Sequence, residues 1–160
     1  MAYEKLKYKV IKKDNQIEIR TYDPFVTMKA SRPRTNGFNT LFRYISGDNE
    51  KNQQISMTVP VITDLKEQDY IAFTMPEEVV KQGYPKANNP YIEFEEHPEK
   101  TYVAIRFTGL LAQTKKYVSK LETYVKTHEL KTISEPVLLR YQGPFVPAFL
   151  RTHDIMIEIQ

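Results

Sequence analysis

The stretch Tyr44–Ile62, YISGDNEKNQQISMTVPVI, decides the fold. Its first part closes a helix. Just upstream, Phe38, Leu41, Phe42 and Ile45 recur at i, i+3, i+4 and i+7, one apolar helical face. Thr35 or Asn36 can cap the start of that helix. Gly47 suits its end, and the Asp48-Asn49 pair turns the chain. The second part switches to strand periodicity, with Ile55, Met57, Val59 and Val61 alternating along one face. Pro60 has no N–H to give a ladder, so it belongs at an edge or a bulge. The whole stretch reads as a helix-to-strand corner.

Working outward, Leu6–Lys12 reads as a strand and Lys13–Gln16 as a turn. QIEIRTY then alternates, with Ile17 and Ile19 on one face and Glu18 and Arg20 on the other. Pro24 interrupts, FVTMKAS resumes extended structure, and DYIAFTMP is a further strand. EEVVKQGYPKANNP, with Gly83, Pro85 and Pro90, reads as a polar loop. Beyond it the order repeats. YIEFEEH and TYVAIRFTG are strands, AQTKKYVSKLETYVKTHEL is an amphipathic helix, and PVLLRYQG and DIMIEI are the closing strands. Thr114, Val118, Leu121 and Val125 share one face of that helix, flanked by Tyr117 and Tyr124. The reading is α+β: two β-β-α-β-β units, about 6–76 and 91–160, within one domain over residues 1–160. They would form one antiparallel sheet or distorted barrel with both helices packed on it. Ile17–Tyr22 and Ile92–His97 should then occupy equivalent places.

With 41% hydrophobic and 27% charged residues among 160, the composition is that of a chain able to bury a core. The net charge is +3 and the basic residues are mixed along the chain, so no stripe for nucleic acid is expected. Cysteine is absent, which excludes disulfides, thiolate metal sites and cysteine nucleophiles. No signal-like or membrane-length apolar run is visible, and a cytoplasmic protein without a membrane role is expected. The three histidines lack metal-ligand spacing, so no metal site is expected. His128 falls near the end of the second helix, where a cation suits the helix dipole. His153 reads as a turn or edge residue. There is no G-x-S-x-G, no G-x-G-x-x-G and no Walker loop, hence no candidate catalytic residue and no enzymatic function.

One combination of segments is specific. It consists of IEIRTYDP, then YISGDNEKNQQISMTVPVI, then FTG before the second helix, then LRTHDIMI. Together they resemble the SOUL, or heme-binding-protein, family, over about Tyr8 to Ile159. The resemblance implies a barrel-like pair of repeats, related to gyrase-inhibitor-like effector-binding domains. It also implies noncovalent binding of a tetrapyrrole, heme or porphyrin, in an apolar groove beside the first helix. Carried onto this chain, the ligand-binding residues would be Arg34, Phe38, Leu41, Phe42, Arg43 and Ile45, with the arginines meeting propionates. Some relatives place a histidine directly after the E-x-R segment. Here that position is Thr21, so binding without histidine ligation is expected. The alternative the resemblance leaves is an effector-binding domain for another hydrophobic or cationic small molecule.

Overall fold

The computed structural model describes residues 3–160. Strand β1 (Glu4–Lys5) precedes a hairpin of β2 (Tyr8–Asp14) and β3 (Ile17–Tyr22). Strand β4 (Phe25–Ser31), helix α1 (Phe38–Ile45), β5 (Thr58–Val59), β6 (Val61–Asp64) and β7 (Tyr70–Thr74) complete the first half. Helix α2 (Glu77–Gln82) leads to β8 (Ile92–His97), β9 (Lys100–Thr108), helix α3 (Thr114–Thr127), β10 (Val137–Arg140) and β11 (Thr152–Ile159). α2 replaces an expected loop. Pro76 stands at its N-cap, two glutamates fill its first turn, and Lys81 pairs with Glu77 one turn back, which is enough for one short helix.

Nine strands form one curled antiparallel sheet in the order β2-β3-β9-β11-β10-β6-β7-β4-β8, and β1 pairs with β5 beside it. Leaving β2 aside, that order reads as two interlocked halves. β3 pairs with β9 through Ile17 and Ile105, and β8 pairs with β4 through Ile92 and Ala30. Ile17 therefore answers to Ile92, and Ala30 to Ile105. The midpoint lies where β6 meets β10, at Thr63 and Leu138. The first strand of each half is exchanged: β3 completes the sheet of the second half, and β8 that of the first.

Helices α1 and α3 cover the same face. α1 packs on β4 and β7 over a core of Val26, Met28, Ile71 and Phe73. α3 packs on β9 and β11 over Val103, Ile105, Phe107 and Ile155, with Leu121 as its one fully buried residue. Among the described residues no helix is long and apolar enough to cross a membrane.

The buried face of α1 is Thr40, Leu41, Tyr44 and Ile45, so only part of the apolar spacing Phe38, Leu41, Phe42 and Ile45 is fully buried. The Tyr44 hydroxyl donates to the Pro85 carbonyl at 2.6 Å, tying the helix to the loop ahead of β8 and leaving Phe38 and Phe42 on its flank. Two local expectations are corrected. The strand does not run through Ile55 and Met57: only Thr58–Val59 and Val61–Asp64 are extended, separated by Pro60, and Thr58 through Thr63 are buried on both faces. His153 is no edge residue. It lies buried in β11, between β9 and β10.

The corner itself is held by Asn49. Its side-chain amide donates to the Tyr44 and Gln53 carbonyls at 2.9 and 2.8 Å. Its oxygen accepts from the Lys51 and Gln53 N–H groups at 3.2 and 3.0 Å. All the hydrogen-bonding capacity of one buried side chain goes into closing this turn.

The concave face is a second core, of Tyr22, Ile62, Ala72, Tyr102, Leu139 and Met156. Within it Asp154, fully buried, accepts from Arg20 at 2.9 Å, from Arg106 at 2.9 and 3.0 Å, and from the Tyr141 hydroxyl at 2.6 Å. Arg20 also donates to Glu18 at 2.8 Å and to Tyr22 at 3.1 Å. Glu18, Arg20 and Tyr22 of the IEIRTY strand thus face a buried network rather than solvent.

Candidate ligand-binding site

The segment before α1 is shaped by short polar side chains. The Thr35 hydroxyl accepts from the Gly37 N–H at 3.0 Å, and the Thr40 hydroxyl accepts from the Asn36 N–H at 3.0 Å. Gly37, at φ 57°, is the N-cap; it takes a left-handed conformation that glycine adopts without strain. These contacts set the start of the helix. Phe38 and Phe42 are left on its flank, 44% and 45% exposed. Their rings lie nearly parallel, 6.1 Å apart at 19°, and Phe38 meets Phe73 edge-on at 5.1 Å. Two large, roughly parallel rings, each nearly half exposed, form an apolar platform at the surface.

The other residues of the expected site divide around this platform. Leu41 and Ile45 are buried beneath the helix and belong to the core. Arg43 is exposed in the last turn of α1. Arg34 is exposed in the turn ahead of it, with its guanidinium 5.7 Å from the Tyr91 ring. Of the six residues, the surface brings together Phe38 and Phe42, with Arg43 one position along the helix. Arg34 stands at the opposite end.

No histidine flanks the platform. His97 lies on the concave face, stacked on Phe25 at 4.6 Å. His128 caps α3 and stacks on Tyr124 at 3.8 Å. His153 contacts Phe107 under α3. The Thr21 hydroxyl pairs with that of Thr101 at 3.0 Å, in the half that carries α3.

A second concavity of about 500 Å³ opens on the curled face. Lys29 lies 3.8 Å from Glu95 and over the Tyr70 ring, and Lys100 lies 3.2 Å from Glu158. His97 Nε2 is 3.0 Å from the Thr27 hydroxyl, and its Nδ1 is 3.3 Å from Lys100 Nζ and 3.9 Å from Glu95. Thr27, His97 and Glu95 stand in the order of a nucleophile, a base and an orienting acid. The polarity is reversed, however. Lys100 can only donate, so Nδ1 accepts, Nε2 carries the proton, and the imidazole cannot take the Thr27 proton. Burial holds His97 below its ordinary value, and it is neutral near pH 7. Burial also raises the Tyr70 and Tyr102 phenols, so both keep their protons. The cleft can hold a ligand through paired carboxylates and aromatic rings. Nothing in the sequence marked it, because its residues come from seven strands, β4 and β6 to β11. Among the described residues no cluster of histidine, aspartate and glutamate could hold a metal ion.

Comparison with known proteins places this geometry. The sequence model of the SOUL heme-binding protein family matches residues 3–158. No curated protein matches the chain. Among solved structures, the EcmrR C-terminal domain superposes with a TM-score of 0.65 at 11% identity, over 91% of this chain and 97% of that one. In an EcmrR–DNA complex the same likeness spans 57% of the EcmrR chain, with a TM-score of 0.64 at 11% identity over 91% of this chain. A hydrolase from Listeria innocua superposes with a TM-score of 0.55 at 8% identity, over 100% of this chain and 94% of that one. At such identities these likenesses show the fold alone.

Proposed function

The chain belongs to the SOUL heme-binding protein family, and from that premise we propose that it binds a tetrapyrrole, heme or metal-free porphyrin, noncovalently and without catalysis, on the exposed flank of α1. The observation that carries this is the stacked, half-exposed pair Phe38 and Phe42. A planar macrocycle buries both rings at once and gains the apolar contact that water denies them. Arg43 at the rim, and Arg34 at the other end, supply guanidinium groups for propionates. With no imidazole on this flank, iron adds little to the affinity. The protein works in the cytoplasm with a small ligand as its partner and no nucleic acid, which the mixed distribution of its basic residues supports.

Absorbance titration with hemin and with protoporphyrin tests the reading. Micromolar binding of hemin is expected, about −8 kcal/mol, with protoporphyrin within about tenfold of it. Arg43→Glu should weaken both by about 1–3 kcal/mol where the propionate pair is shielded. The bound spectrum should not be that of a histidine-ligated low-spin heme. If neither ligand binds below about 100 μM, roughly −5.5 kcal/mol, the tetrapyrrole reading fails.

The concave cleft favours one other reading, an effector site for a hydrophobic cation. Glu95 and Glu158 line it together with Tyr70 and Tyr102. A lipophilic cation would displace Lys29 or Lys100 from its carboxylate and lie against those rings. Binding of such a cation that is lost in Glu158→Gln and kept in Arg43→Glu would select this reading over the first.

A further inference from the structure

On the helix-covered face a groove of about 900 Å³ runs beside α3, over β6 and β10. Thr63, Leu138 and Arg140 floor it, Val118 stands on its α3 side, and Arg32, on the way into α1, closes one end. Arg140 is the anomaly in this groove. Its Nε is buried with no hydrogen-bond partner, and its guanidinium forms no ion pair among the described residues. Directly across the ladder on β11 stands His153. Its Nε2 meets the Gly109 carbonyl at 3.0 Å and so carries the proton, and its Nδ1 is left buried and unpartnered. An unmatched donor and an unmatched acceptor therefore stand on paired residues of adjacent strands, on the same face.

The surroundings add charge without compensating it. Arg32 and Arg151 approach Arg140, and burial together with their repulsion loosens its hold on its own proton. Arg151 directs its guanidinium to neutral acceptors, the carbonyls of Val146 at 2.8 Å and Pro144 at 3.3 Å. Buried polar atoms without partners cost stability in the free protein, and Arg32 and Arg140, which line the groove together and form no ion pair among the described residues, can hold an anion between them.

We propose that Arg140 anchors a second ligand site, which takes the oxyanion head of an amphipathic molecule, a carboxylate or a phosphate monoester. Such a head accepts from the guanidinium fork, and a phosphate monoester monoanion keeps an O–H that it can donate to His153 Nδ1. The apolar body lies along Leu138, Val118 and Leu111. From Arg140 to Pro136 the floor offers about 13 Å, at about 3.3 Å per residue of strand. Asp64, Glu122 and Glu135 also line the groove and disfavour a second negative group. The site is separate from the α1 flank and independent of the tetrapyrrole reading.

Calorimetric titration of the full chain with dodecanoate, dodecyl phosphate, dodecyltrimethylammonium and inorganic phosphate tests it. Both dodecyl anions should bind, the tighter of the two naming the head group. Inorganic phosphate should bind at least a hundredfold more weakly, and the cation not measurably. Arg140→Gln should weaken the anions at least tenfold and leave hemin titration unchanged. In the absence of ligand its Tm should equal or exceed that of the unsubstituted protein, because an uncompensated buried charge has been removed. Arg32→Gln should weaken the anions at least threefold, and it carries the test should Arg140→Gln fail to fold. Equal affinity for cation and anion means adsorption to apolar surface only and overturns the proposal. So does undiminished anion binding by Arg140→Gln, as when a water molecule alone bridges Arg140 and His153. Loss of hemin and dodecanoate together in Arg140→Gln would merge the two sites and overturn a separate one.

Discussion

Asp154 is the residue on which three strands and a loop converge. Burial by itself would raise its pKa, but hydrogen bonds from Arg106, Arg20 and Tyr141 hold the carboxyl below the ordinary 3.8. Asp154→Asn leaves Arg20 buried with half its counter-charge and should cost about 3–5 kcal/mol, read as a lowered midpoint in urea unfolding. A loss under about 1 kcal/mol, the range of an exposed pair, would place the network in solvent. Acid should act in two stages. His97 and His153 are held below the ordinary 6.5, chiefly by burial, so the unfolded chain binds protons first and stability begins to fall below that pH. Asp154, with its folded value depressed, contributes fully at neutral pH. Its share is lost only as pH falls below 3.8 toward the folded value. The alternation of Glu18, Arg20 and Tyr22 was visible in the sequence, but the medium they face was not. Period two separates the faces of a strand without saying that a curled sheet buries both.

The two helices differ in how plainly the sequence announced them. Leu121 reads as the centre of an apolar face and is fully buried at the centre of the α3 contact. Leu121→Ala should cost about 2–5 kcal/mol, and chemical denaturation showing less than about 1 kcal/mol would mean that α3 does not sit there. In α1 the apolar spacing marked Phe38 and Phe42 as equals of Leu41 and Ile45. A hydroxyl tether from Tyr44 to Pro85, remote in sequence, rotates the helix and leaves both phenylalanines half uncovered. Phe42→Ala should therefore cost little stability, about 1 kcal/mol or less, yet weaken tetrapyrrole binding in the same titration. A substitution costing about 3 kcal/mol or more, as in a core, would make Phe42 a packing residue. Arg140 and His153 gave no signal either, because their isolation arises from what the fold does not bring near them.

At the scale of the whole molecule, the succession of strands and helices was legible and the exchange of first strands was not. Turn chemistry and periodicity locate elements along a chain; which strand pairs with which depends on contacts far apart in sequence. We read the two halves, about 6–76 and 91–160, as a duplicated unit whose copies trade one strand. Separately expressed halves would each lack a strand that the other carries, leaving β9 and β4 with open edges. Each half alone should aggregate or show little protection in hydrogen exchange, and mixing them should restore a folded species. A half that folds alone, with sharp dispersed amide resonances, would contradict the exchange.

The exchange also bears on the protein's birth. A chain leaves the ribosome N-terminus first, and the β2–β3 hairpin emerges long before β9, the strand on which β3 lies. β4, released early, has one edge covered by β7 and waits for β8 to cover the other. The nascent first half must keep unpaired strand edges apart from those of neighbouring polysomes until residues beyond 97 have been translated. A translational pause inside the first half therefore prolongs the period of greatest aggregation risk, whereas a pause past β9 comes after both missing partners have been made.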